Sequence, residues 1–105
     1  MITTETKNSL NFLESLIGKK PTLGDFILAI RQGEEMTQVD FSKLLGISRH
    51  NLCDIEHNRR FISPKMAAQF AKKLGYSEKQ FVRLCLQDML NREGLALLVE
   101  IENAA

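Results

Sequence analysis

The chain has 105 residues, 44% apolar and 26% charged, with 14 basic against 13 acidic side chains. That length allows one core and little more, and no apolar run approaches the roughly 20 residues that cross a bilayer as a helix. The balance of +1 is small for a nucleic-acid binder, and the opening MITTETKNSL has neither the basic flank nor the apolar core of an export signal. Cys53 and Cys85 both fall in helical patterns, which fits reduced, buried thiols in a cytoplasmic protein.

Taken in order, the first element is an amphipathic helix over residues 7–17, with Leu10, Leu13, Leu16 and Ile17 on one face. Gly18 to Pro21 breaks it. Thr22 caps the next helix, with Asp25 three residues on, and this helix buries Phe26, Ile27 and Ile30 before ending near Gly33. Thr37 caps a short helix in which Asp40 can reach back to the cap, and Val39, Phe41, Leu44 and Leu45 supply its apolar side. Gly46 ends that helix in the left-handed region, and Ile47 anchors the link in the core. Ser48 then caps a helix with Leu52 and Ile55 inward. Ser63 and Pro64 open a fifth, with Met66, Ala67, Phe70, Ala71 and Leu74 inward and Gly75 at its end. A sixth starts at Ser77, with Gln80 three residues on, and buries Phe81, Leu84, Cys85, Leu86 and Met89.

Gly94 reads as a left-handed helix end. Beyond it, Leu97, Val99 and Ile101 alternate with Leu98, Glu100 and Glu102, a period of two that predicts a β-strand over 95–102, with helical continuation as the alternative. A lone strand needs a partner for its backbone groups. With no second strand in the chain, the expected partner is the same strand of another copy, giving a homodimer through residues 81–102.

Two short helices joined by three residues cannot lie antiparallel, so they cross steeply, as in a helix-turn-helix. The segment TQVDFSKLLGISRHNLCDIEHNRR, residues 37–60, resembles the lambda-repressor-like Cro/XRE family of regulators. The resemblance rests on Gln38, the small Ser42, Gly46, Ile47, Ser48, Leu52, Ile55 and Glu56, and extends through Arg59, Arg60 and the Pro64 helix to Gly75. Two residues depart from the family pattern. Ser42 stands for the usual alanine, and Asn58 stands where glycine is frequent, although asparagine can take the same left-handed conformation. The implied fold is mainly α, a five- to six-helix lambda-repressor-like domain with a C-terminal dimerising strand. Residues 1–20 would be the N-terminal helix, 21–92 the DNA-binding domain, and 93–105 the strand and tail.

The resemblance implies sequence-specific binding of double-stranded DNA. The second motif helix would lie in the major groove with its first residues against base edges. Arg49, His50, Asn51 and Asp54 are the candidates, with Arg49 suited to guanine O6 and N7 and Asp54 to cytosine N4. Cys53 shares with Asp54 the place one turn on from Arg49 and His50; the alternative role for Asp54 is pairing with Arg49 or His57. Gln38, Lys43, Ser48, Arg59 and Arg60 are candidates for the phosphate backbone, Gln38 because it opens a helix whose free N–H groups attract an anion. Either arginine could instead pair with Glu56. The charge distribution agrees: residues 31–73 carry eight basic against five acidic side chains, and residues 77–105 three against five.

Other chemistry fits less well. His50, Cys53 and His57 share a helix face, but zinc wants a fourth ligand, and no CxxC is present. Cys53 and His57 lack a third group to orient them as a nucleophilic pair. No glycine-rich phosphate loop occurs, so neither a cofactor nor enzymatic activity is expected. Two functions remain: a dimeric transcriptional repressor at a palindromic operator, or an antitoxin that binds a toxin protein and represses its own operon.

Overall fold

The structure, a computed structural model, describes residues 20–104. The helix expected over residues 7–17 lies outside them. Five helices follow in order: α1 Leu23–Gly33, α2 Gln38–Leu45, α3 Arg49–Glu56, α4 Pro64–Leu74 and α5 Glu78–Arg92.

Each helix begins at a hydroxyl. Thr22, Thr37, Ser48, Ser63 and Ser77 take extended backbone and accept a hydrogen bond from the amide three residues on. Such a cap typically contributes about 1 kcal/mol, which matters for helices too short to persist alone. Thr22 and Asp25 complete a reciprocal capping box, whereas at Thr37 the forward bond alone forms. Gly46 and Gly75 end α2 and α4 at φ 76°, the left-handed conformation that a β-carbon disfavours.

All five helices contribute to one core. Phe41, Phe70, Phe81, Leu23, Ile27, Leu45, Leu52 and Ile55 are its largest sealed side chains. Phe26 meets Phe81 and Tyr76 edge-on at 5.9 and 5.8 Å between ring centroids, a preferred aromatic geometry.

Three expected core positions, Val39, Leu44 and Met89, lie outside. Val39 and Leu44 are 46% and 44% exposed, because a two-turn helix offers one inward stripe and Phe41, Ser42 and Leu45 occupy it. Ser42 is buried and turns its hydroxyl onto the Val39 carbonyl at 2.8 Å, so the serine is satisfied where alanine would suffice. In α5, Met89 is exposed, while Gln80 and Gln87 are buried.

The C-terminal strand is not formed. Residues 95–104 have no regular secondary structure. Gly94 turns the chain at φ 73°, and the Leu95 N–H bonds the Leu90 carbonyl at 3.0 Å. The tail then folds back on α5, where the Gln87 side-chain amide donates to the Leu97 carbonyl at 2.7 Å and its oxygen accepts from the Val99 N–H at 2.9 Å. One buried glutamine therefore meets two of the groups that a neighbouring strand would have paired.

The start of α1 is fixed on α5. The Leu23 N–H, unpaired within its own helix, donates to the Asp88 carboxylate at 2.8 Å. Burial pushes the Asp88 carboxyl up to about 6, although the Leu23 bond and nearby Arg92 pull the other way. A carboxyl raised in the folded state favours folding below its unfolded value, and that contribution is lost as the pH rises through about 6. Partial exposure limits the effect to about 1–2 kcal/mol. Asp88→Asn keeps an acceptor for Leu23 and removes the charge. Its urea midpoint should change less than the wild type's between about pH 4 and pH 7, leaving the variant relatively more stable at neutral pH. Superimposable pH profiles would refute this assignment.

Candidate nucleic-acid interface

The link between α2 and α3 is held at several points. The Ile47 N–H bonds the Ser42 carbonyl at 3.0 Å, and Ile47 packs on the core. From α4, the Lys73 ammonium donates to the Leu45 carbonyl at 2.8 Å, placing a cation at the negative end of α2. The Ser48 hydroxyl accepts from the Asn51 N–H at 3.0 Å and thereby starts α3. Helix α3 buries Leu52, Ile55 and Glu56, and exposes Arg49 and His50 in its first turn with Asn51 half-buried beside them.

Beneath that surface lies a buried carboxylate. The Glu56 side chain is 1% exposed and receives the Arg31 guanidinium through Nε at 2.6 Å and Nη2 at 3.1 Å. Arg31 also donates from Nη1 to the Met36 carbonyl at 3.0 Å. The Gln38 amide donates to Glu56 Oε1 at 2.9 Å, which fixes its oxygen outward, and that oxygen accepts from Arg49 Nη1 at 3.1 Å. A continuous relay therefore runs from α1 through Glu56 and Gln38 to Arg49. It orients two candidate DNA contacts, one at the start of α2 and one at the start of α3.

Arg59 and Arg60 leave Glu56 to Arg31. In the sequence Arg31 is only one of the eight basic residues of 31–73, but Glu56 carries a signal of its partner. Glu56 continues the inward stripe of Leu52 and Ile55, and a carboxylate on such a stripe requires a buried cation.

A second cluster gathers around Asp54. Its carboxylate accepts from Arg59 Nε at 2.9 Å and lies 3.4 Å from His50 Nε2. The Arg59 bond holds the Asp54 carboxyl below its usual range, against a smaller opposing effect of burial. Asp54 is thus engaged by two neighbours, both themselves candidate DNA contacts. It pairs with neither Arg49 nor His57, whose Nδ1 sits 2.8 Å from the Cys53 carbonyl. Lys43 and Arg60 are exposed and have no ion-pair partner among the described residues.

His50 turns to Asp54, and Cys53 Sγ lies 3.6 Å from His57 Nδ1. Among the described residues, no three histidine, cysteine or acidic side chains gather as metal ligands, and no helix is long and apolar enough to cross a membrane.

The family model of the helix-turn-helix domain matches residues 24–85, from the first turn of α1 to the middle of α5. No curated protein and no solved structure matches the chain. The matched span covers more than half of the 105 residues and contains the capped α2, the glycine link and the exposed first turn of α3, so the chain belongs to the helix-turn-helix domain family.

Proposed function

We propose that the protein is a sequence-specific DNA-binding transcriptional regulator, acting as a dimeric repressor of the lambda-repressor-like Cro/XRE kind. The observation that carries this reading is the relay that holds Arg49 and Gln38 in place at the exposed starts of α3 and α2. Preorientation lowers the cost of fixing long side chains on binding.

In this reading α3 enters the major groove. Arg49 reads guanine through O6 and N7, His50 donates to a purine acceptor, and Asn51 reaches adenine or a phosphate. Asp54 shapes the site by holding His50 and Arg59. Gln38 meets one phosphate through the free backbone N–H groups that open α2, its side-chain amide being engaged by Glu56 and Arg49, and Lys43, Ser48, Arg59 and Arg60 approach the backbone on either side.

Two copies on a palindrome would place their α3 helices about 34 Å apart. The homodimer proposed here forms through residues 81–102 by side-chain burial rather than a β-ribbon, since Met89, Leu95, Leu97 and Leu98 are all exposed in the single chain. The same leucines support a second reading, in which a toxin protein covers them and the chain is its antitoxin.

Selection from a random duplex pool tests the main reading. A twofold-symmetric consensus with half-sites about 10 base pairs apart supports it, and weak binding without a consensus rejects it. Against the selected duplex, Arg49→Ala should cost about 1–3 kcal/mol and relax preference at one base pair. Gln38→Ala should reproduce part of that loss, and much less of it in an Arg49→Ala background, because the relay acts as a unit. Arg59→Ala should weaken binding to all sequences alike and lower the salt slope by about one. Sedimentation separates the roles of the tail. The whole chain should be dimeric at micromolar concentration and a chain ending at Glu93 monomeric. A truncated chain that stays dimeric removes the tail from the interface, and a whole chain that is monomeric yet selects DNA favours the protein-partner reading.

A further inference from the structure

Arg59 and Arg60 lie beyond the end of α3, where no helix fixes their backbone. Both of their N–H groups converge on the Asp54 carbonyl, at 2.8 and 3.2 Å. The turn that makes this possible is Asn58, which sits at φ 58°. Glycine takes that conformation most readily, so conformation alone does not explain an asparagine there.

The Asn58 carboxamide is used at both ends. Its oxygen accepts from the Thr22 hydroxyl at 2.7 Å, and its nitrogen donates to Asp25 Oδ1 at 2.9 Å. Thr22 and Asp25 are the capping box of α1, already joined by two reciprocal bonds of 3.0 Å. Asn58 therefore closes a ring of four hydrogen bonds between the first turn of α1 and the turn after α3. The two segments also touch through backbone. A β-carbon on Gly24 would run into the Ile55 carbonyl oxygen and lie 2.9 Å from Asn58 Oδ1. The first turn of α1 is in turn anchored to α5 through Leu23 and Asp88.

We infer that Asn58 is a positioning residue for phosphate contact: its carboxamide docks the post-α3 turn on the α1 cap and so sets the path along which Arg59 and Arg60 meet the DNA backbone. This inference rests on the DNA-binding reading above. Its contribution is geometric, because Asn58 carries no charge and its polar atoms are occupied within the protein. Removing the carboxamide while keeping the backbone conformation should release the two arginines from a fixed position without unfolding the chain.

The test uses the full chain and a mixed-sequence duplex of about 30 base pairs, with binding measured over a range of salt, since phosphate contacts are independent of sequence. Asn58→Gly should keep the far-UV helix signal, because glycine adopts the turn. The slope of log K against log salt should fall by about one to two, as it should for the Arg59→Ala, Arg60→Ala pair. Adding Asn58→Gly to that pair should change the slope no further. Asp25→Ala, which leaves the Thr22 cap bond and the Thr22–Asn58 bond, should lower the slope less, and it carries the comparison if the glycine variant does not fold. Either variant melting earlier while keeping the wild-type slope overturns the inference, since a purely structural role moves stability alone. An unchanged slope in the arginine pair also overturns it. Wild-type protein without salt-dependent binding defeats the DNA-binding reading itself, before any variant is compared.

Discussion

A carboxylate sealed from water at the end of α3 sets the terms for the rest of the molecule. Glu56 cannot be left unpaired, because an isolated buried charge costs several kcal/mol even after relaxation. Arg31 matches it with two charge-assisted bonds, and this pairing ties α1 to α3 across 25 positions of sequence. The carboxylate has acceptor capacity left over, and Gln38 uses it. One requirement of the interior thus decides how α1 sits on α3, which way the Gln38 amide points, and where Arg49 rests at the surface. Electrostatic necessity and surface arrangement are here the same set of bonds.

Helix α1 is the platform on which this is assembled. It meets α5 through Leu23 and Asp88, α3 through Arg31 and Gly24, and the following turn through the Thr22–Asp25 cap. Each link uses a group that a helix terminus leaves unpaired or a residue chosen for close approach. The motif helices α2 and α3 have eight residues each, too few to persist alone. Their rigidity is borrowed from α1 on one side and from α4, through Lys73, on the other.

What could be read from the sequence follows the range of the physics involved. Caps at Thr22, Thr37, Ser48, Ser63 and Ser77, and the left-handed ends at Gly46 and Gly75, depend on residues within four positions, and all of them form. The left-handed turn at Asn58 was legible for the same reason. Which side of α2 faces inward depends on neighbours distant in sequence, and Val39 and Leu44 were misplaced on that account. The Glu56–Arg31 pair spans a similar distance, and only the stripe containing Glu56 hints at it. The tail misled for another reason. Period-two alternation reports a strand only when a second strand is present to pair with it, and here Gln87, a side chain no periodicity singles out, takes part of that role. Among the candidate contacts, the exposure of Arg49 and His50 followed from the position of the cap, whereas the capture of Asp54 by Arg59 required a fold-back after α3 that the pattern does not encode.

The Gln87 clamp also bears on how the chain behaves in crowded solution. Residues 95–101, LALLVEI, are apolar apart from one charge and contain no proline, so nothing in their composition bars pairing with another extended chain. An extended segment recruits a second chain through a row of open carbonyl and amide groups along its edge. Gln87 interrupts that row at Leu97 and Val99 from within the same molecule, and Gly94 bends the chain so that the interruption falls in the middle of the apolar stretch. Pairing of that segment with a second chain through Leu97 and Val99 would first have to break both Gln87 bonds.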